Sequence, residues 1–440
     1  MWTHHPDLLA TPVPRYTSYP TAAEFHDGPD AAALEGALAA IGPDAPVSLY
    51  VHIPFCREIC WYCGCNTGAA NRDRRLTAYL EALTAEIALV GDRLGGRGRL
   101  QRISFGGGSP NAIAPADFIA LVEALRVAFG APEDGLSVEI DPRGFSHEWA
   151  GVLGAMGAER VSLGVQTFAE PVQRAIGRVQ PAGLIERTTR WLRDAGIGSI
   201  NFDLMYGLPH QGLEELAETL EMAVAMQADR IALFGYAHVP HLIPRQRRID
   251  GAALPDGTLR FAQAGLGHRL LAESGYAPIG FDHFALPADP IARAARAGVL
   301  RRNFQGFTDD PSEVVIGLGA SSISMFPDRI LQNEKNAGRY RMMVSAGRLP
   351  VSRGLFRTAE DRLRGRVIEA LLCTGAADTA GLSDRGETEA RIAPFVARGL
   401  AEWTGTTLRL SEDAAPYARA IAAGFDTYRQ PDARRFSNAI

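Results

Sequence analysis

Val47-Ser-Leu-Tyr50-Val-His52-Ile-Pro-Phe-Cys56-Arg-Glu-Ile-Cys60-Trp-Tyr-Cys63-Gly-Cys65-Asn66 is an apolar run that breaks into a cysteine loop. The first half is rich in β-branched and aromatic residues and predicts a strand over 47–52. The second half holds four of the five cysteines in the 440-residue chain, in the pattern C-x3-C-x2-C-x-C. Soft thiolates select iron–sulfur clusters, zinc or copper. Structural zinc usually takes two separated ligand pairs, and the only other cysteine is Cys373. A disulfide framework does not suit a large chain without a secretory signal.

Strands and helices alternate outward from this loop. A helix is expected over 72–93, with Leu76, Leu80, Leu83, Ile87 and Val90 on one face. Further strands are expected at 101–105, 136–141, 160–165, 199–204 and 230–235, and helices at 117–129, 147–156, 182–195 and 213–226. Six βα units in series predict a parallel sheet covered by helices, because right-handed crossovers place helices on its faces. The fold class is α/β, a partial six-unit βα barrel. In such barrels the C-terminal strand ends hold the active site. The chemically suggestive residues all lie there: the cysteine loop, Gly106-Gly-Gly-Ser109, Glu139, Gln166, Asp203 and Ala237.

Three parts are expected: an irregular N-terminal arm over 1–45, the barrel over 46–290, and a mostly helical domain over 291–440. Helical periodicity marks 258–273, 361–373 and 413–424, whereas 301–307 and 317–324 read as loops. With 46% hydrophobic residues, 22% charged residues and a net charge of −5, the composition carries no basic footprint for nucleic acid. Lys335 is the only lysine. No apolar run reaches the 18 or more residues of a membrane span. Free cysteines and the lack of an export signal predict a cytoplasmic protein.

The C-x3-C-x2-C spacing resembles that of radical S-adenosylmethionine (SAM) enzymes. A [4Fe–4S] cluster normally takes four thiolates. Three leave one iron free to chelate SAM, and an electron into the sulfonium then yields a 5′-deoxyadenosyl radical. Over nearly its whole length the chain further resembles the oxygen-independent coproporphyrinogen III oxidases. The resemblance rests on Arg15-Tyr-Thr-Ser-Tyr-Pro-Thr21, His52-Ile-Pro-Phe-Cys56, Cys63-Gly-Cys65-Asn66 and Gly106-Gly-Gly-Ser109-Pro110. It continues in Gly164-Val-Gln166, Asp203-Leu-Met-Tyr-Gly207-Leu-Pro209 and Tyr236-Ala-His238. It closes with Gly280-Phe-Asp-His-Phe284, Arg302-Asn-Phe-Gln-Gly306 and Phe425-Asp-Thr-Tyr428. Ser109 stands where the family often has Thr, and Tyr62 where Phe is common.

The resemblance implies oxidative decarboxylation of two propionates of coproporphyrinogen III to vinyl groups, giving protoporphyrinogen IX. It implies one [4Fe–4S] cluster on Cys56, Cys60 and Cys63, and two SAM molecules. Tyr50, Gly107, Glu139 and Ile323 match positions contacting the cluster-bound SAM. Tyr62, Gly108, Ser109, Gln166, Arg178, Asp203 and Ala237 match positions contacting the second. An electron donor and an acceptor are needed, neither identified by the chain, and a monomer is expected. Cys65 marks the family against related heme chaperones; it is a candidate for a direct chemical role or a buried small hydrophobe. His52 either orients the loop or packs. Arg15, Arg301 and Arg302 are candidates for the substrate's carboxylates, or surface arginines. The alternatives are a radical SAM enzyme acting on heme, a heme chaperone and a zinc-stabilised binding protein.

Overall fold

In the computed structural model, residues 2–70 and 73–429 are described. Arg72, where the first long helix was expected to begin, lies outside them, and the helix runs Asp73–Leu94. The central strands are β1 Pro46–Ile53, β2 Arg99–Gly107, β3 Leu136–Ile140, β4 Ala158–Gln166, β5 Ser199–Tyr206 and β6 Arg230–Gly235. Each pairs in parallel with the next. Six helices follow these strands in turn: Asp73–Leu94, Pro115–Phe129, His147–Ala155, Ala182–Asp194, Leu213–Ala225 and Gly257–Glu273. Strand β1 is buried at every position after Pro46, as a parallel strand covered on both faces should be. The six-unit βα series is therefore present.

The sheet extends further than the sequence predicts. Its remaining strands are β7 Ala277–Ile279, β8 His283–Ala285, β9 Val314–Leu318, β10 Ile323–Phe326, β11 Arg329–Asn333 and β12 Val351–Phe356. The order is β12-β11-β10-β9-β1-β2-β3-β4-β5-β6-β8-β7. Strand β9 lies parallel to β1, and β10–β12 continue from it antiparallel. The expectation of a mostly helical segment from 291 onward thus fails over 301–356. The misleading stretch was Gly317-Leu-Gly319, which reads as a loop. In the fold a Cβ on Gly317 would lie 2.5 Å from the Ile323 carbonyl oxygen. Its glycine serves a close strand contact. Residues 301–308 form a two-stranded hairpin. Helices Ala359–Thr374 and Arg385–Val396 accompany a small sheet of strands within 376–410.

The arm is likewise not wholly irregular. Ala31–Ala39 is a helix, capped by Asp30, whose carboxylate accepts from the Ala32 and Ala33 N–H groups at 3.1 and 3.4 Å. Alanine and leucine after an Asp cap favour this. The arm motif is held by the far end of the chain. Tyr16 donates to Asp426 at 3.0 Å, and the Tyr19 hydroxyl lies 3.2 Å from Thr427. Two motifs some 400 residues apart in the chain are thus one contact.

A buried network braces the strand ends beside the cysteine loop. The Glu86 carboxylate, fully buried on helix Asp73–Leu94, accepts from Gly319 N, the Asn333 amide and the Tyr340 hydroxyl at 2.7, 2.7 and 2.6 Å. Tyr79 donates to the His52 carbonyl at 2.7 Å and accepts from Ala320 N at 3.0 Å. Glu86→Ala would strand three donors, a loss of about 3 kcal/mol or more in chemical denaturation. Burial pushes the Glu86 carboxyl up to about 7 from 4.5. The folded chain then holds this proton more readily than the unfolded chain. Stability should fall as pH rises from about 4.5 to about 7 and level off above. Glu86→Gln removes the ionisation, so its stability curve should lack that decline; parallel curves would refute the assignment.

Candidate active site

The cysteine loop leaves β1 at Ile53 and is tied back on itself. Ala70 N donates to the Cys56 carbonyl at 2.8 Å, and Gly68 N to the Pro54 carbonyl at 2.9 Å. The tie holds residues 56–69 as one compact turn at the C-terminal mouth of the barrel. Cys60 is buried, and both Arg143 Nη2 and Arg178 Nη1 lie 3.2 Å from its Sγ. Cys56 Sγ is 3.1 Å from the Thr67 hydroxyl, and the Cys65 N–H donates to Cys63 Sγ at 3.4 Å. The Cys65 side chain also hydrogen-bonds Cys63 and brings that thiol down to about 6, while burial pushes Cys56 up to about 11. Among the described residues no three Cys, His, Asp or Glu side chains already form a metal cage. The donor set nevertheless fits a cluster that takes three thiolates. Three sulfurs share one turn, and two guanidiniums, the buried Arg178 and the partly buried Arg143, stand ready to offset thiolate charge.

The glycine turn after β2 packs directly on this loop. Gly108 N donates to the Ile53 carbonyl and Ser109 N to the Phe55 carbonyl, both at 2.8 Å. A Cβ on Gly108 would lie 2.5 Å from the Phe55 oxygen. Gly107 has φ 111°, and a Cβ there would lie 2.5 Å from the His52 ring. Only glycine permits such approaches. Gly106 leaves room for the Glu139 carboxylate, whose oxygens would be 2.8 Å from a Cβ there. Glu139 in turn accepts from Gly107 N at 3.2 Å.

Tyr50, Cys63, Cys65, Gly107, Glu139 and Ser321 line a cavity of about 520 Å³. It collects three of the four residues matched to the cluster-bound SAM. The fourth, Ile323, begins β10 beside Gly317, the residue paired with Tyr50. A second cavity, about 290 Å³, lies in the barrel lumen and shares Glu139 with the first; Asp203, Ser162 and His283 also line it. Enclosure by the barrel pushes the Glu139 carboxyl up to about 7, with Asp203 adding repulsion. Burial also raises Asp203, whose oxygens accept from Ser162 and Asn201, both at 2.8 Å.

The residues matched to the second SAM are more dispersed. Arg178 is engaged by the protein: it donates to Gly164 O through Nη2 at 2.6 Å and pairs with Asp141 at 3.1 Å. Although burial works against ionisation, Arg178 and Arg143 hold the Asp141 carboxyl below its ordinary value. The Ser109 hydroxyl donates to Asn111 at 2.6 Å. Gln166 ends β4 at φ 70°, a conformation rare outside glycine. The carbonyls of Tyr62 and Ala237 are brought together by one buried side chain, Gln246, whose amide donates to them at 2.9 and 3.0 Å. Gln246 has no sequence signal, because Pro244-Arg-Gln-Arg-Arg248 carries no motif. His52 does orient the loop: its Nε2 lies 3.4 Å from Asn66 O and 3.3 Å from the Ser321 hydroxyl, and burial keeps it neutral, lowered to about 4.

The three arginines that were candidates for substrate carboxylates or for the solvated surface have protein partners. Arg15 donates to Gly235 O at 3.0 Å. Arg302 donates to the carbonyls of Arg15 and Tyr16 at 3.1 and 3.3 Å, sandwiched between the rings of Phe281 and Phe307. Arg301 pairs with Glu369 at 2.8 Å. Cys373 packs beside the small cluster that includes Ile279 and Phe307, as a core cysteine.

A parallel βα series with a three-cysteine turn at its mouth defines a radical SAM fold, and the family model described as the radical SAM superfamily matches residues 50–223. Over 97% of both chains it is 42% identical to an oxygen-independent coproporphyrinogen III oxidase of Bradyrhizobium diazoefficiens. It is 40% identical to an anaerobic coproporphyrinogen III oxidase of Cereibacter sphaeroides, covering 97% of this chain and 96% of that one. A solved structure, the coproporphyrinogen III oxidase HemN from Escherichia coli, described as a radical SAM enzyme, superposes with a TM-score of 0.90 at 35% identity, covering 97% of this chain and all of the other. The chain belongs to the oxygen-independent coproporphyrinogen III oxidase family. A [4Fe–4S] cluster and SAM are the cofactors of its superfamily. No helix among the described residues is long and apolar enough to cross a membrane.

Proposed function

We propose that this chain decarboxylates two propionates of coproporphyrinogen III oxidatively, without oxygen, to give protoporphyrinogen IX. The observation that carries the reading is whole-length likeness that includes the arm, together with the four-cysteine turn at the barrel mouth. Cys56, Cys60 and Cys63 hold the cluster. When bound, cluster and SAM together supply a radical that removes a β-hydrogen from each propionate; carbon dioxide leaves, and an electron passes to an acceptor.

We assign one SAM to the larger cavity and a second beside it, where Asp203 lines the lumen cavity that shares Glu139. Tyr50, Gly107, Glu139 and Ile323 belong to the cluster-bound one. The second is assigned Tyr62, Gly108, Ser109, Gln166, Arg178, Asp203 and Ala237. In that assignment Arg178 and Ser109 exchange their present protein partners for ligand atoms, whereas Gln246 positions the Tyr62 and Ala237 carbonyls. Arg15 and Arg302 act by holding the arm against the barrel rather than by gripping substrate. Cys65 tunes Cys63 through their shared hydrogen bond. The protein works in the cytoplasm as a monomer and draws on a separate electron donor and acceptor.

The test is an anaerobic assay of reconstituted protein with coproporphyrinogen III, SAM and a reductant. Divinyl product with two SAM cleaved per product is expected. SAM cleavage with an intact cluster but no vinyl product would overturn the reading, and so would stable heme binding without turnover.

A further inference from the structure

A cavity of about 150 Å³ lies between the arm and helix Ala359–Thr374. Thr17 and Ser18 contribute from the arm, Val315 and Met325 from the sheet. Val315 pairs with Ser48 on β1 and with Met325 on β10. Paired residues share a sheet face, as do residues two apart on one strand. Tyr50 and Ile323 are two residues from Ser48 and Met325, so the cavity borders the sheet face that carries the active site.

Arg357, Arg362 and Arg366 also line this cavity. Arg362 and Arg366 are one turn apart on the helix, where like charges repel. Among the described residues, none of the three forms an ion pair within 4.0 Å. The Arg357 Nε is buried without a partner. Asp361 lies near Arg357 and Asp328 near Arg362, but neither reaches ion-pair distance, and the other carboxylates nearby are engaged elsewhere or face solvent. Glu369 serves Arg301 at 2.8 Å and Arg302 N at 2.9 Å, and Asp310 serves Ser48 at 2.5 Å and Ser312 N at 2.9 Å. Glu313 is exposed to solvent. Three guanidiniums around one cavity, none in an ion pair, suit an anion with planar oxygens, which arginine binds bidentately. A water molecule occupies about 30 Å³, so the space admits a carboxylate side arm but no macrocycle.

We infer that Arg357, Arg362 and Arg366 form a carboxylate subsite that anchors a propionate of the substrate while the ring stays outside the cavity. The inference rests on the function proposed above. A free inorganic anion shares the same chemistry, and the experiment separates the two. The protein is the full chain, reconstituted with its cluster. Arg362→Gln/Arg366→Gln should raise KM for coproporphyrinogen III at least tenfold with kcat within threefold, leaving SAM affinity and iron content unchanged. Arg366→Gln alone, at an exposed position, should raise KM about threefold, and Arg366→Lys less. Inorganic phosphate should compete with substrate in the parent protein and less in the double variant. A KM within twofold of the parent overturns the inference. So does a variant that loses only its response to phosphate, which would mark a free-anion site. If the parent forms no product, the broader reading falls on its own; binding of coproporphyrin III, a stable tetracarboxylate followed by fluorescence, then decides the subsite by the same tenfold criterion.

Discussion

Cys60→Ser abolishes turnover: reconstituted protein carries little iron, lacks the charge-transfer absorption of a [4Fe–4S] cluster and cleaves no SAM above background. The expectation follows from the position of Cys60, the only buried cysteine of the loop, with two guanidiniums at 3.2 Å from its sulfur. Oxygen is a poor substitute for a soft thiolate at iron, so a residue of the same size and hydrogen-bonding reach does not rescue. Because every hydrogen abstraction depends on the cluster, the loss is of many orders of magnitude rather than a partial defect. Cys65→Ser is the control. It should retain near-parental iron, since Cys65 lies outside the three-cysteine spacing. A Cys60→Ser protein with full iron content would refute the ligand assignment.

Gly108→Ala comes second. The added Cβ meets Phe55 oxygen at 2.5 Å and Phe55 nitrogen at 2.7 Å. Both are backbone atoms of the residue that precedes Cys56, so neither can swing aside as a side chain would. The hydrogen bonds from Gly108 N and Ser109 N to this stretch must lengthen. Overpacking of this kind costs about 1–3 kcal/mol, and here the displaced backbone is the cluster loop itself. The expected result is a lower midpoint in chemical denaturation, together with at least a tenfold fall in kcat/KM. Gly151→Ala, on an open helix face with nothing within 4 Å, should show neither effect. Unchanged activity in Gly108→Ala would mean that the loop seats differently when loaded.

Much of the barrel was legible because its signals are local. The strands at 47–52, 101–105, 136–141 and 230–235 are short apolar runs bounded by polar turns, and the helices between them carry apolar faces at helical spacing. The misreadings lie where pairing is non-local. Val314-Val-Ile-Gly-Leu318 became a seventh parallel strand only because β1 offered an open edge. Its length and its glycine gave no local sign of that. The helix at 31–39, by contrast, has a local signal in Asp30 and the alanines after it, masked by the proline and aspartate around it.

The chain alone determined the cysteine turn, its metal class and the family, since thiolate spacing and motif identity are properties of neighbours in sequence. Only the tertiary structure decided what stands around them. It placed Arg143 and Arg178 at the Cys60 sulfur, Gln246 across two carbonyls, and Glu86 under the strand ends. It showed that Arg15 and Arg302 grip the arm's surroundings, while Arg357, Arg362 and Arg366 line one cavity. The physical reason is one of range. Ligand spacing is set by a few covalent bonds, whereas the partner of a buried charge is whichever group packing brings within about 3–4 Å, and in this fold that group is often hundreds of residues away in the chain.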